Sequence, residues 1–122
     1  MIQKKIEILI VDDSLAIHEA LKVILKDKYA LAFATGGEEA LNYLADNPVK
    51  LVLLDIKMPH MDGITAFKEI RKRHPKTRVI IVTAHANPKN IRNALSLDAY
   101  AIITKPFDPK KLVNIVDKAL KT

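Results

Sequence analysis

Acidic, hydroxyl and basic side chains stand at the ends of several apolar runs of this sequence. Asp12 and Asp13 follow the run IEILIV, and Asp55 follows LVLL. Thr83 closes the run that begins VIIV, and Lys105 comes directly after IIT. Three carboxylates, a hydroxyl and an ammonium can hold a divalent cation and accept a phosphoryl group, provided that the fold brings them together.

The sequence alternates five times between a strand pattern and an amphipathic helix pattern. The fold that this alternation produces determines whether these residues meet. The predicted strands cover residues 5–11, 29–34, 50–55, 78–83 and 100–104. The predicted helices cover residues 14–25, 36–45, 64–73, 87–97 and 109 onward. Such alternation favours an α/β fold, a doubly wound parallel sheet between two helix layers. Because ligands of these folds bind beyond the carboxyl ends of the strands, we expect the five polar residues to converge there.

Carboxylates brought this close need a cation. Like carboxylates a few ångströms apart repel each other unless one is protonated or a cation lies between them. Mg²⁺ suits one or two carboxylates completed by waters and a substrate phosphate, so we expect Asp13 and Asp55 as direct ligands and Asp12 acting through water. Asp55 would attack phosphorus to give an aspartyl phosphate, with Lys105 and the Thr83 hydroxyl around the phosphoryl oxygens.

The composition is that of one small globular domain covering residues 1–122. The sequence is 49% hydrophobic and 28% charged, with 3 Gly and 6 Pro. It has no Cys, which excludes disulfides, a thiolate nucleophile and a Cys-based zinc site, and suits a reducing cytosol. No apolar run approaches the ~20 residues that span a bilayer, so we expect a cytoplasmic protein without membrane contact.

The net charge of +6 raises the question of an anionic partner. The densest basic cluster, KEIRKRH at 68–74, lies on the predicted outer face of a helix and has no interleaved aromatic residues. We therefore expect no direct nucleic-acid binding. The histidines show no metal-ligand spacing and are interpreted as surface or loop residues, with the last of them bordering the site: His18, His60, His74 and His85.

Four motifs occur in order along the chain: ILIVDDS, LVLLDIKMPHMDG, VIIVTAH and ITKPF. Together they resemble the receiver domain of bacterial two-component response regulators, over the whole chain. The resemblance implies a flavodoxin-like (βα)5 fold with strand order 2-1-3-4-5. It implies that Asp55 takes a phosphoryl group from a sensor histidine kinase or a histidine phosphotransfer protein in a Mg²⁺-dependent reaction. It also implies that the backbone carbonyl of Lys57 completes the Mg²⁺ shell and that the Lys105–Pro106 bond is cis.

A receiver is a signalling domain that catalyses only its own phosphorylation and dephosphorylation. Our hypothesis is that phosphorylation draws the Thr83 hydroxyl toward the phosphoryl oxygens and shifts the loop from Ala84 to Pro88. The surface of the fourth helix, fifth strand and fifth helix would move with it and control an output protein or effector domain. Two positions depart from the family pattern. Ile102 replaces the usual Tyr or Phe, and Asp98 replaces a common Gly, where left-handed backbone would cost up to ~1–2 kcal/mol.

Several alternatives remain at the level of sequence. A degenerate receiver would bind a partner without being phosphorylated, although the full set of site residues favours an active one. A phosphatase with an aspartyl nucleophile would need an acid where Lys57 stands, and a dinucleotide-binding domain would need a glycine-rich turn where DDSLA stands. A stand-alone regulator and a receiver cut from a longer protein are both compatible with the chain, as are a monomer and a homodimer.

Overall fold

The computed structural model describes residues 5–121, in which five strands and five helices alternate. The strands are β1 (Ile8–Val11), β2 (Leu31–Ala34), β3 (Leu51–Leu54), β4 (Arg78–Thr83) and β5 (Ala101–Thr104). The helices are α1 (Leu15–Leu25), α2 (Gly37–Asp46), α3 (Gly63–Arg73), α4 (Pro88–Ser96) and α5 (Pro109–Lys121). Within residues 5–121, no helix combines the length and apolar character required to cross a membrane.

The strands form one parallel sheet in the order β2-β1-β3-β4-β5, which confirms the predicted topology. Ile8 pairs with Leu31 on one side and with Leu51 on the other. The ladder thus begins where both neighbours of β1 begin, and for this reason β1 starts at residue 8 rather than at residue 5 as the apolar pattern suggested.

Alternate side chains of the sheet divide the core in two. One half contains Leu9, Val11, Val52 and Leu54 with residues of α2, α3 and α4, such as Leu44, Phe67 and Ala94. The other half contains Ile8, Ile10, Leu51 and Leu53 with residues of α1 and α5, such as Leu21, Leu25, Leu112 and Val116. Every side chain of β1 and β3 is buried, because helices cover both faces. The fold is therefore the expected three-layer sandwich.

Two backbone features lie at opposite edges of the sheet, Lys105–Pro106 after β5 and Asp98 before it. The Lys105–Pro106 peptide bond is cis, as the resemblance implied. Asp98 has φ 61°, the left-handed conformation expected at this position, which costs a non-glycine residue about 1–2 kcal/mol. Arg71 of α3 donates to the carbonyl oxygens of Leu97 (3.0 Å) and Asp98 (3.4 Å), so α3 holds the chain where α4 ends.

Candidate functional site

The three predicted carboxylates meet at the carboxyl edge of the sheet. Asp12, Asp13 and Asp55 each place one oxygen within 4.8 Å of the others. β1 and β3 are adjacent and in register, and the Asp55 amide donates to the carbonyl oxygen of Val11 at 3.0 Å, which sets Asp55 beside Asp12. Asp12 is 2% exposed and Asp55 6% exposed, whereas Asp13 faces solvent.

Lys105 places its ammonium between two of these carboxylates. Its Nζ lies 2.7 Å from Oδ2 of Asp12 and 3.1 Å from Oδ2 of Asp55. Burial of the ammonium lowers its pKa, but the hydrogen bonds and charges of the two carboxylates outweigh burial and raise the pKa above its ordinary value. The lysine is therefore a fixed positive charge, and it supplies part of the neutralisation that the sequence led us to expect from a metal.

The residues present fit a hard divalent cation. Three carboxylates against one ammonium leave two negative charges in the cluster. Carboxylate oxygens are the ligands that Mg²⁺ prefers, together with water and phosphate oxygens. Asp13, the most exposed of the three, is open to an ion arriving from solvent.

Thr83 lies nearby but is held differently from the others. A cleft of about 510 Å³ is lined by Asp12, Asp13, Asp55 and Lys105, and Thr83 is not among its lining residues. The Thr83 side chain is fully buried, and its Oγ1 accepts a hydrogen bond from the His85 amide at 3.0 Å. The Thr83 hydroxyl thus lies one strand away from Asp55 and is hydrogen-bonded to the loop that follows β4.

The segment after β3 wraps around Asp55. The Lys57 amide donates to Oδ1 of Asp55 at 3.4 Å, while the Lys57 side chain is exposed and lines the cleft. α3 begins close to Asp55, because the Gly63 amide donates to the carbonyl oxygen of the next residue, Ile56. A Cβ at position 63 would stand 2.1 Å from the backbone oxygen of Asp55. Only glycine allows this approach, a requirement that no pattern within the sequence reveals.

His18 is buried, which corrects its interpretation as a surface or loop residue. It was expected at the surface, yet it is 7% exposed, and its Nε2 lies 2.7 Å from the carbonyl oxygen of Asp12. The interpretation was wrong because position 18 lies on the inward stripe of α1, three and seven residues before the buried Leu21 and Leu25. That spacing was the available signal. His60 and His85 are exposed and His74 is half-buried, in line with the interpretation, and His85 lines the cleft.

The sequence matches the response regulator receiver domain family over residues 8–117. The chain therefore belongs to this family, the receiver domains of two-component signalling.

Curated relatives share the family but are longer proteins. The chain is 40% identical over 119 residues to the regulatory protein AtoC of Escherichia coli, covering 93% of this chain and 25% of that protein. It is 38% identical over 117 residues to a putative NtrX-like response regulator of Rickettsia bellii, covering 93% of this chain and 24% of that protein. The chain thus spans about a quarter of the length of these relatives.

Solved receiver domains have the same fold. The CheY-like receiver domain protein of Methanospirillum hungatei superposes with a TM-score of 0.91 at 33% identity, covering 96% of this chain and 94% of that one. The receiver domain of NtrX from Brucella abortus gives 0.89 at 33% identity, covering 95% of this chain and 99% of that one. These likenesses cover nearly the whole chain and show that the fold is that of a receiver domain.

Proposed function

We propose that Asp55 accepts a phosphoryl group and that the resulting aspartyl phosphate switches the surface of α4, β5 and α5 toward an output protein or effector domain. The donor is a phosphohistidine on a sensor histidine kinase or a histidine phosphotransfer protein in the cytoplasm. One observation carries the proposal: oxygens of Asp12, Asp13 and Asp55 lie within 4.8 Å of one another, and the Lys105 ammonium bridges two of these carboxylates.

The transfer is a displacement at phosphorus. A carboxylate oxygen of Asp55 forms the new O–P bond while the P–N bond of the phosphohistidine breaks, and the imidazole nitrogen leaves with the electron pair. Charge spreads over the three equatorial oxygens, so fixed positive groups around them matter more than acid or base chemistry. Lys105 contacts Asp55 and is positioned to contact one of these oxygens.

Mg²⁺ is the cofactor in this proposal. Asp13, Asp55 and the backbone carbonyl of Lys57 would hold the ion directly, and Asp12 would hold it through water. When bound, it supplies the positive charge that offsets the phosphoryl oxygens. The two negative charges that remain beside Lys105 support this assignment.

The switch begins at Thr83. Its hydroxyl now accepts from the His85 amide, and on phosphorylation it turns to donate to a phosphoryl oxygen. The His85 amide then loses its acceptor. Asn90 of α4 donates to the His85 carbonyl oxygen at 2.6 Å, so movement of this loop passes to α4.

Position 102 lacks the aromatic ring that could carry the switch, so the backbone carries it in this proposal. Ile102 has no ring that could change between an inward and an outward rotamer, and it packs partly buried against the core. Tyr100, the nearest aromatic residue of that strand region, lies under the Arg78 guanidinium, whose central carbon is 5.1 Å from the ring centroid. The loop between β4 and α4 therefore carries the response instead of an aromatic side chain.

The test uses acetyl phosphate as a small-molecule donor. The chain incubated with acetyl phosphate and Mg²⁺ should gain the mass of one phosphoryl group, and EDTA or Asp55→Asn should prevent the gain. An unchanged mass of the folded wild-type chain would instead assign a degenerate receiver that binds partners without phosphorylation. An equal gain in Asp55→Asn would place the phosphoryl group elsewhere.

A further inference from the structure

His18 is a buried imidazole that the proposed phosphoryl transfer does not use. It lies on α1, with Nε2 2.7 Å from the Asp12 carbonyl oxygen and its ring 5.1 Å from the ring of Phe33. A carbonyl oxygen only accepts hydrogen bonds, so Nε2 must carry the hydrogen and donate it. The His18 side chain therefore links α1 to the peptide group between Asp12 and Asp13.

The three carboxylates of the cluster are not held equally. Asp12 accepts from the Ser14 amide at 2.9 Å and from Lys105, and Asp55 accepts from Lys105 and from the Lys57 amide. Across residues 5–121, no hydrogen bond or ion pair holds the side chain of Asp13. The position of this carboxylate depends on the backbone that carries it.

His18 acts on that backbone. The carbonyl oxygen of Asp12 belongs to the peptide group that joins Asp12 to Asp13, so its direction sets the direction in which the Asp13 side chain leaves the chain. On the other side of Asp12, the amide donates to the Ala34 carbonyl oxygen at 3.1 Å and continues the ladder of β1 and β2. Both peptide groups of Asp12 are thus hydrogen-bonded to neighbouring elements.

We infer that His18 is a positioning residue for the metal site: its hydrogen bond orients the peptide between Asp12 and Asp13 so that the Asp13 carboxylate stays beside Asp55. The inference rests on the proposed function, which makes Asp13 a metal ligand. An imidazole suits this task because it is rigid and, at this position, buried.

Paired substitutions separate the hydrogen bond from the packing. Gln places its side-chain N–H close to where Nε2 of His stands, whereas Asn is one methylene shorter. In the full chain, His18→Asn should weaken Mg²⁺ binding about tenfold, and His18→Gln should keep the wild-type affinity. Phe33→Leu keeps the hydrogen bond and loses the ring contact, so its affinity should equal that of the wild type. Mg²⁺ affinity is read from amide NMR titrations, without any phosphodonor.

A second readout needs no metal. In the metal-free wild-type chain, the Asp13 amide should have an order parameter near ~0.85, and in His18→Asn it should fall toward ~0.6. Equal Mg²⁺ affinity in His18→Asn and wild type, an equal loss in His18→Gln, or an equal loss in Phe33→Leu would each overturn the inference. Failure of the wild-type chain itself to bind Mg²⁺ would instead overturn the proposed function.

Discussion

Lys105 is the residue that lets acidic side chains share one edge of this sheet. It contacts Asp12 and Asp55 but leaves Asp13 without a partner of opposite charge in the described chain. Two unit charges 4 Å apart interact by about 4 kcal/mol at an effective dielectric constant of 20 and by about 1 kcal/mol in water. Since Asp13 is exposed, the lower figure applies to its repulsion.

Substitutions at Asp13 and Lys105 should therefore change stability in opposite directions. In EDTA, Asp13→Ala should raise the free energy of unfolding by about 1 kcal/mol because it removes repulsion. Lys105→Met should lower it by about 2 kcal/mol because two buried carboxylates lose their cation. Urea unfolding measures both, and Mg²⁺ should stabilise the wild type but no longer Asp13→Ala. A clear loss of stability in metal-free Asp13→Ala would reject a cation site at this position.

Tyr29 gives the fold a dependence on alkaline pH. Burial, and then the hydrogen bond that its hydroxyl donates to Asp117, raise its pKa from 10.0 to about 12. Because the pKa is higher in the folded state, this contact stabilises fully below pH 10.0 and is lost as pH rises through about 12.

Tyr29→Phe should make that dependence visible. At pH 8 the variant should unfold about 1 kcal/mol more easily than the wild type, the value of one hydrogen bond. The difference should shrink as pH rises beyond 10.0 toward about 12. Urea unfolding across this range checks the trend, with Asp117→Ala as the matched removal of the acceptor. A difference that does not change with pH would contradict the assignment.

Close packing of β3 against the start of α3 is the element-scale feature on which Asp55 depends. Gly63→Ala should lower the free energy of unfolding by about 3 kcal/mol, since its Cβ would meet the Asp55 oxygen, and it should slow phosphorylation because the backbone of Asp55 must move. Gly36→Ala is the control. Nothing lies within 4 Å of a Cβ there, so the change should stay within about 1 kcal/mol. Equal effects of the two substitutions in urea unfolding and acetyl phosphate assays would contradict this account.

Helix and strand identity followed from periodicity, but the packing of element ends did not. Ser14 and Asn87 stand where two of the predicted helices begin, and each caps its helix by accepting from the amide three residues later. The start of β1 depends instead on where β2 and β3 begin, which no pattern within one segment contains. The approach of Gly63 to Asp55 likewise depends on tertiary packing.

At the scale of the molecule, the two ends of α4 are held by different parts of the fold. Arg71 reaches the carbonyl oxygens of Leu97 and Asp98, and it also donates to those of Pro75 (3.1 Å) and Thr77 (2.9 Å). The other end depends on the exposed loop around His85. We expect α4 to move at its first turn and to stay anchored at its last.

A phosphoryl mimic tests this motion. With beryllofluoride and Mg²⁺, amide NMR shifts should change most over residues 84–90 and least near residue 97. Thr83→Ala should suppress the change, because the hydroxyl that moves is missing. Silence across residues 84–105 in the wild type would defeat the proposed switch.

Convergence of the site could be predicted from the chain because the fold obeys a general rule. Parallel strands end at one edge, so residues as distant as Asp12 and Lys105 were expected to meet, and their charged atoms lie 2.7 Å apart. The bridging position of Lys105 could not be predicted, because it depends on side-chain directions that only the assembled layers fix. The burial of Thr83 behind the cleft has the same origin. The burial of His18, by contrast, was indicated by its spacing from Leu21 and Leu25.

The most direct measurement is the chemical location of the phosphoryl group. After treatment with acetyl phosphate and Mg²⁺, borohydride reduction converts an aspartyl phosphate to homoserine, and peptide mass spectrometry identifies the converted residue. Homoserine is expected at position 55, and only when Mg²⁺ is present. Homoserine at position 12 or 13, or no conversion in the folded chain, would contradict phosphorylation of Asp55.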